Sequence, residues 1–181
     1  MKYMFASDVH GSAFYCRKML EAYREEGAER LVLLGDLLYH GPRNDLPKEY
    51  APKEVIAMLN EMKNEIYAVR GNCEAEVDQM VLNFPVMAYY CILAIDGMTF
   101  YATHGHVYNE NNLPPFREGD ILIHGHTHVL KAEQREGYIL LNPGSVSIPK
   151  EGNPPTSAVL EDKVFTIKDF DGNIIKEMRL A

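Results

Sequence analysis

The stretch RLVLLGD, residues 30–36, reads as a buried strand that stops at Gly35 and Asp36. A short, continuous apolar run bounded by a turn signal is typical of a strand covered on both faces. Similar runs ending in polar residues occur at residues 1–7 and 65–72. Segments with helical patterning separate the three runs. This β-α-β-α-β order predicts a mainly parallel sheet with covering helices.

The predicted helices have recognisable starts. Gly11 and Ser12 open the first, which should run to about residue 26. Pro52 lies near the start of the second, which carries an apolar stripe at Val55, Ile56, Leu59 and Met62. A short third helix is expected after residue 72.

After residue 85 the chain changes to frequent short strands. A hairpin is predicted about Asp96 and Gly97, further strands within residues 120–126 and 131–145, and a final hairpin turning at residues 171–173. No repeat or linker marks a boundary. We therefore predict one α/β domain over residues 1–181, with two sheets packed face to face and helices outside.

Composition narrows the function classes. The net charge of −8 argues against a nucleic-acid partner, which usually requires a basic surface. No apolar run approaches the roughly 20 residues that cross a bilayer, and we expect a cytoplasmic protein with no membrane partner. The three cysteines have no CxxC spacing, which disfavours a disulfide framework or a zinc–thiolate site. Cys16 and Cys91 are expected to be small core residues.

Polar side chains follow the predicted strands where each strand ends. They comprise Asp8, His10, Asp36, Asn72, His104, His106, His124, His126 and His128. Strand ends converge at one edge of an α/β sheet, where such folds bind ligands. Any one of these residues alone would be read as a cap or turn residue. Together, their oxygen and nitrogen donors suit Mn²⁺, Fe or Zn²⁺ better than Ca²⁺, and two ions sharing a carboxylate could clamp a phosphoryl group.

The motifs DVHG (residues 8–11), GDLLYHG (35–41), GNCE (71–74), THGH (103–106) and GHTH (125–128) occur in this order. Ordered together, they resemble the signature of the calcineurin-like metallophosphoesterases. The likeness continues through NPGSVSIP (142–149) and is greatest to the small bacterial phosphodiesterases of the enterobacterial type.

The resemblance implies a four-layer αββα sandwich of two mixed sheets. It also implies two divalent metal ions, for which we expect Mn²⁺, with Zn²⁺, Fe or Ni²⁺ as alternatives. Asp8, His10 and His128 would hold the first ion, Asn72, His104 and His126 the second, and Asp36 would bridge them. A hydroxide between the ions would then attack phosphorus. His124 should be structural, since the family pattern uses only the last two histidines of its motif.

One position departs from the family pattern. Most members have a His after the Asn, which contacts phosphate and can protonate the leaving oxygen, but this chain has Cys73. An ionised thiol cannot donate that proton; the alternative is a small packed residue with no catalytic role. The resemblance implies that Glu74 would orient a histidine introduced at position 73, unless its extra methylene misplaces the carboxylate. The catalytic candidates are Cys73 and His106, and the loop candidates for substrate contact are His40, Arg43 and Asn44, with a structural role for His40 equally open.

We accordingly predict a phosphodiesterase that hydrolyses small phosphodiesters. The alternatives are a phosphomonoesterase of the same fold and a non-catalytic interaction scaffold, as a retromer subunit of similar fold illustrates. The apolar segment at residues 86–95 is compatible with an interface between copies of the chain.

Overall fold

Eleven strands and three helices occupy residues 1–180, the part of the chain that the computed structural model describes. In chain order they are β1 Tyr3–Ala6, α1 Ala13–Glu25, β2 Arg30–Leu33, α2 Pro52–Glu61, β3 Ile66–Ala68, α3 Glu76–Val81, β4 Tyr90–Ile95, β5 Met98–Thr103, β6 Asp120–Ile123, β7 Lys131–Gln134, β8 Tyr138–Asn142, β9 Thr156–Glu161, β10 Val164–Asp169 and β11 Ile174–Arg179.

The strands form two mixed sheets. The first has the order β11-β10-β9-β1-β2-β3, in which β1, β2 and β3 run parallel. The second has the order β4-β5-β6-β8-β7, in which β5, β6 and β8 run parallel. The predicted β-α-β-α-β half and the later hairpins are confirmed, and so is the α/β class with two mixed sheets.

An apolar layer fills the space between the sheets because side chains alternate along each strand. Phe5 of β1, Phe100 of β5 and Phe165 of β10 meet there, and all three are completely buried. A second layer lies beneath the helices and includes Cys16 and Leu59. Burying an aromatic or aliphatic side chain contributes about 1.5–3 kcal/mol. The layer shared by both sheets favours the predicted single domain.

The outer face of the second sheet is covered differently from that of the first. Leu122 and Leu140 are buried on this face, and Phe116 packs against them from the preceding loop. The helices α1 and α2 instead contribute to the layer on the first sheet.

Strand β9 was not predicted, although it joins β1 to β10. Its connection to β10 is a two-residue turn at Asp162 and Lys163, whose φ angles are +50° and +65°. Two consecutive left-handed residues define a type I′ hairpin turn, which usually contains Asn or Gly. Because Lys163 occupies the position that usually holds Gly, the pair is not recognisable as a hairpin turn from the sequence.

None of the three helices in the described chain has the length and apolar character needed to cross a bilayer. Strand β4 lies at an edge of its sheet and exposes Tyr90 and Ile92. The interface expected at this segment stays a prediction.

Replacing Asp162 and Lys163 by Asn and Gly should raise the free energy of unfolding by about 1 kcal/mol, because glycine adopts the left-handed conformation without a Cβ clash. The matched control is Gly97→Lys in the β4–β5 turn, where φ is +80° and a Cβ would have open space around it. That change should cost a similar amount. Urea denaturation of both variants gives the measurement, and unchanged midpoints in both would contradict the turn assignment.

Candidate metal centre

The polar residues at the strand ends lie together at one edge of both sheets. Asp8 and His10 follow β1, Asp36 follows β2, Asn72 follows β3, His104 follows β5, and His126 and His128 follow β6. Because β1–β3 are parallel, and β5 and β6 are parallel, each sheet delivers its residues to a single edge. The predicted juxtaposition is present.

Five of these side chains lie on left-handed backbone. The φ angles are +61° at Asp8, +48° at His10, +56° at Asp36, +63° at His126 and +61° at His128. Non-glycine residues in this conformation cost on the order of 1 kcal/mol each and persist only where the surroundings enforce them. Such strain is concentrated at functional sites.

A first cluster comprises Asp8, His10 and His128. The Asp8 Oδ1 atom lies 3.5 Å from His10 Nε2 and 3.4 Å from His128 Nε2. The Nδ1–H groups of His10 and His128 donate to the carbonyls of Tyr39 and Ile148, both at 2.8 Å. Each ring therefore presents a lone pair on Nε2. Asp8 Oδ1 and His10 Nε2 are buried without a hydrogen-bond partner, which a cation between them would supply.

A second cluster surrounds His104. Its Nε2 atom lies 3.1 Å from Asn72 Oδ1, 3.2 Å from His126 Nδ1 and 3.3 Å from Asp36 Oδ2. Its Nδ1–H donates to the Leu34 carbonyl at 2.6 Å, which leaves a lone pair on Nε2 in the neutral ring. Four electron-rich atoms thus converge. A divalent ion fits this donor set better than a hydrogen-bond network does.

Asp36 lies between the two clusters. Its Oδ2 atom is 3.6 Å from His10 Nε2 and 3.3 Å from His104 Nε2. Its Oδ1 atom accepts a hydrogen bond from the Cys73 backbone N–H at 2.9 Å. One carboxylate oxygen is therefore fixed by the backbone, and the other faces ligands of both clusters.

The charges of the clusters perturb their titration. Burial opposes ionisation of Asp36, but the neighbouring His104 outweighs it and holds the pKa of that carboxyl well below its usual range. Burial would lower the pKa of His104, yet Asp36 and Asp8 raise it to about 9. Burial, followed by the charge on His104, lowers the pKa of His126 to about 4. A proton on His104 Nε2 therefore occupies the place that a metal ion would take.

Cys73 is half-buried beside Asp36 and Asn72. Its Sγ accepts a hydrogen bond from Asn72 Nδ2 at 3.4 Å, so the amide oxygen of Asn72 turns towards His104. Burial, and then the Asp36 charge, raises the pKa of the Cys73 thiol far above its usual value. With the protein's charges alone, the thiol is protonated at neutral pH.

The remaining predicted residues are distributed around the clusters. His106 lies beside the second cluster, with its ring centroid 5.4 Å from that of His104, and burial lowers its pKa. His40 packs edge-on against Tyr50, with ring centroids 5.2 Å apart. Arg43 and Asn44 line a cavity that opens onto the clusters. The catalytic and substrate-binding roles of these residues stay predictions.

This cavity has a volume of about 450 Å³. Besides cluster residues and the 41–44 loop, its lining includes Thr127 and Lys150, which sequence reasoning missed. Thr127 lies within the GHTH motif and Lys150 directly follows NPGSVSIP, and these positions were the available signal.

His124 lies outside both clusters and is completely buried. Its Nδ1 is 2.9 Å from the Gly125 carbonyl and its Nε2 is 3.0 Å from Glu110 Oε2. Both ring nitrogens face partners in the fold, as a structural histidine requires.

Glu74 does not point towards the side chain at position 73, and the expectation that it would orient a histidine there is wrong. Its Oε1 accepts a hydrogen bond from the Leu37 N–H at 2.7 Å, and its Oε2 accepts from the N–H groups of Asp36 at 2.9 Å and Gly71 at 2.5 Å. The side chain is only 3% exposed. It therefore ties the turn after β2 to the turn after β3, and so positions Asp36 and Asn72.

Comparison with known proteins gives concordant matches. The calcineurin-like phosphoesterase superfamily domain matches residues 1–163. The phosphodiesterase YfcE of Escherichia coli is 48% identical over 167 residues, which cover 92% of this chain and 91% of that protein. A phosphodiesterase of Methanocaldococcus jannaschii is 24% identical over 152 residues, covering 80% of this chain and 83% of that protein.

A solved structure described as YfcE, a phosphoesterase from E. coli, superposes on this chain with a TM-score of 0.98. The sequence identity is 46%, and the match covers 100% of both chains. The arrangement of the two sheets is therefore shared throughout.

Glu74→Gln should destabilise the protein by about 1–3 kcal/mol, because the amide turns a donor towards backbone N–H groups that need an acceptor. It should also weaken Mn²⁺ binding, since Asp36 and Asn72 lose their common support. Glu76→Gln is the matched control, because the Glu76 side chain is 85% exposed. Urea denaturation and metal titration would measure both effects. Wild-type stability and metal affinity in Glu74→Gln would contradict the positioning role.

Mn²⁺ affinity should rise with pH until about pH 9, because binding must displace the proton that Asp36 retains on His104, whose pKa is about 9. Displacement of one proton corresponds to about tenfold in affinity per pH unit. In the protein without metal, the same raised pKa stabilises the fold below pH 6.5 and that contribution is lost as pH rises through about 9. Calorimetry in buffers of different ionisation enthalpy counts the proton released. Constant affinity between about pH 6 and 9 would refute this competition.

Proposed function

The chain belongs to the calcineurin-like phosphoesterase superfamily, and from this membership and the site geometry we propose that it is a metal-dependent phosphodiesterase acting on small phosphodiesters. The observation that carries the proposal is the second cluster, in which Asp36, Asn72 and His126 direct electron-rich atoms to within 3.3 Å of His104 Nε2. Such an arrangement is stabilised by a cation.

Two divalent ions fit the residues present. Asp8, His10 and His128 would hold the first and Asn72, His104 and His126 the second, with Asp36 shared. Mn²⁺ is the proposed metal, because carboxylate, amide and imidazole donors without thiolate suit it; Zn²⁺, Fe and Ni²⁺ are the alternatives. A cytoplasmic location belongs to the same proposal and is supported by three unpaired cysteines, which fit a reducing compartment.

The chain's own residues orient the reactants. When bound, the ions would activate water and offset the charge that develops on the phosphoryl oxygens. Asn44 and Arg43 line the adjoining cavity, where their N–H groups can bind substrate oxygens. His106, beside the second cluster, has a lowered pKa and is neutral at pH 7. It can therefore accept a hydrogen bond from a substrate or water there.

Mn²⁺-dependent hydrolysis of bis(p-nitrophenyl) phosphate tests the proposal, and this diester should be a better substrate than p-nitrophenyl phosphate. Asp36→Asn should lower the rate by about a hundredfold or more, because metal ions supply several kcal/mol of transition-state stabilisation. It should also reduce the bound metal at both sites. Asp96→Asn, an exposed change in a turn, is the matched control.

The outcomes separate the alternatives. Faster turnover of the monoester would favour a phosphomonoesterase. Failure to hydrolyse either ester with any divalent metal would favour an interaction scaffold. Two tightly held ions and full activity in Asp36→Asn would contradict the shared carboxylate.

Cys73→His should raise kcat, and more so for alkyl than for aryl phosphodiesters. An imidazolium can protonate the leaving oxygen, and general acid catalysis typically contributes about 10²–10⁴-fold. Cys73→Ser is the matched control and should give little of this gain. Steady-state kinetics with both ester types, on variants of equal metal content, makes the comparison. An equal or lower kcat for Cys73→His would show that the cysteine is more than an absent acid.

A further inference from the structure

Two cations line the cavity beside the metal clusters on its outer side. Arg43 and Lys150 are both exposed, and in residues 1–180 neither has an acidic group within 4.0 Å. Other cations of this acidic chain do form ion pairs, for example Lys131 with Glu110 and Lys168 with Glu26.

The acids of the cavity wall do not offset this charge. Asp36 is the one carboxylate among the lining residues in the described chain, and it faces both metal clusters. With two divalent ions bound at those clusters, the whole wall would be positive.

The backbone fixes Lys150 next to the first cluster. Its N–H donates to the carbonyl of His128 at 3.1 Å, and its own carbonyl accepts from Asn153 Nδ2 at 2.8 Å. The ammonium group therefore extends from a tethered turn beside a predicted metal ligand.

Arg43 lies on a second tethered turn, at residues 41–44 of the connection between β2 and α2. The Asn44 side chain closes it by donating from Nδ2 to the His40 carbonyl at 2.8 Å. Thr127 supplies a further donor, because its Oγ1 already accepts from Asn142 Nδ2 at 3.1 Å and its hydroxyl proton is free for another partner.

The chemistry of the wall selects an anion over an apolar group. The lining outside the clusters contributes a guanidinium, an ammonium, an amide and a hydroxyl, and its other members in the described chain are Gly41, Pro42 and Cys73. Guanidinium and ammonium groups are the usual partners of phosphate oxygens. The volume of about 450 Å³ accommodates a substituent in addition to the phosphoryl group at the metals.

We propose that Arg43 and Lys150 form a subsite for a second, terminal phosphate, so that the preferred substrates are phosphodiesters with a phosphorylated substituent. The inference rests on the proposed phosphodiesterase function. It adds the substrate class and assigns Lys150 a role in specificity.

The test compares 2-(phosphonooxy)ethyl p-nitrophenyl phosphate with 2-methoxyethyl p-nitrophenyl phosphate, in which the second oxygen carries a methyl group in place of the terminal phosphate and cannot attack the phosphorus of its own diester. The Mn²⁺-loaded protein is incubated with each ester, and chromatography detects the products of cleavage at either ester bond of the diester. The phosphorylated ester should have a kcat/KM higher by about tenfold or more, mainly through KM, as expected for charge-assisted hydrogen bonds. The preference should shrink at high ionic strength.

Lys150→Met and Arg43→Met should each reduce the ratio of the two kcat/KM values by about tenfold. Lys63→Met is the matched control, because it removes the same charge from an exposed position outside the cavity and should leave the ratio unchanged. A ratio near one in the wild-type protein, or equal losses for both esters in the cavity variants, would overturn the subsite.

Failure of the proposed function gives a separate result. If neither ester is cleaved, the phosphodiesterase proposal fails, and calorimetric titration with the same esters still judges the subsite. Tighter binding of the phosphorylated ester that is lost in Lys150→Met would support it. Equal affinity for both esters would refute it.

Discussion

Five side chains of the candidate metal centre each have one polar atom anchored to the fold and another presented to their neighbours. Asp8 accepts the His126 N–H on Oδ2 and presents Oδ1, and Asp36 accepts the Cys73 N–H on Oδ1 and presents Oδ2. His10, His104 and His128 follow the same rule, with Nδ1–H on a carbonyl and Nε2 presented. Because buried polar groups need partners, this division both satisfies the fold and creates a demand for cations.

The parallel part of the fold was predictable because each strand carries its own signal. Residues 30–36 combine an apolar run with a Gly-Asp stop, and the adjoining segments have helical spacing. The end of strand β9 has no such signal, since the turn after it consists of Asp162 and Lys163, and a left-handed Lys cannot be predicted from its residue type. The loop that covers the second sheet was also unpredictable, because Phe116 packs against Tyr138 and Leu140 of β8, which are distant from it in sequence.

The candidate ligands were predictable for a related reason. A ligand set is recognised by residue type and by position at strand ends, both of which are visible in the sequence. The roles of Glu74 and Lys150 could be identified only from the structure. Glu74 acts through backbone N–H groups of residues 36, 37 and 71, and a backbone partner leaves no residue type to identify. Lys150 matters because the 41–44 loop faces the same cavity, which is a tertiary relation.

The position of β1 in its sheet has a consequence for synthesis of the protein. This first strand pairs with β2 on one side and with β9 on the other, so its last neighbour is residues 156–161. Domains fold as units during translation, from the N-terminus onwards. Here the first strand cannot complete its pairing until β9, the third strand from the C-terminus, has been synthesised. A chain that ends before residue 156 therefore leaves one side of β1 without its native partner.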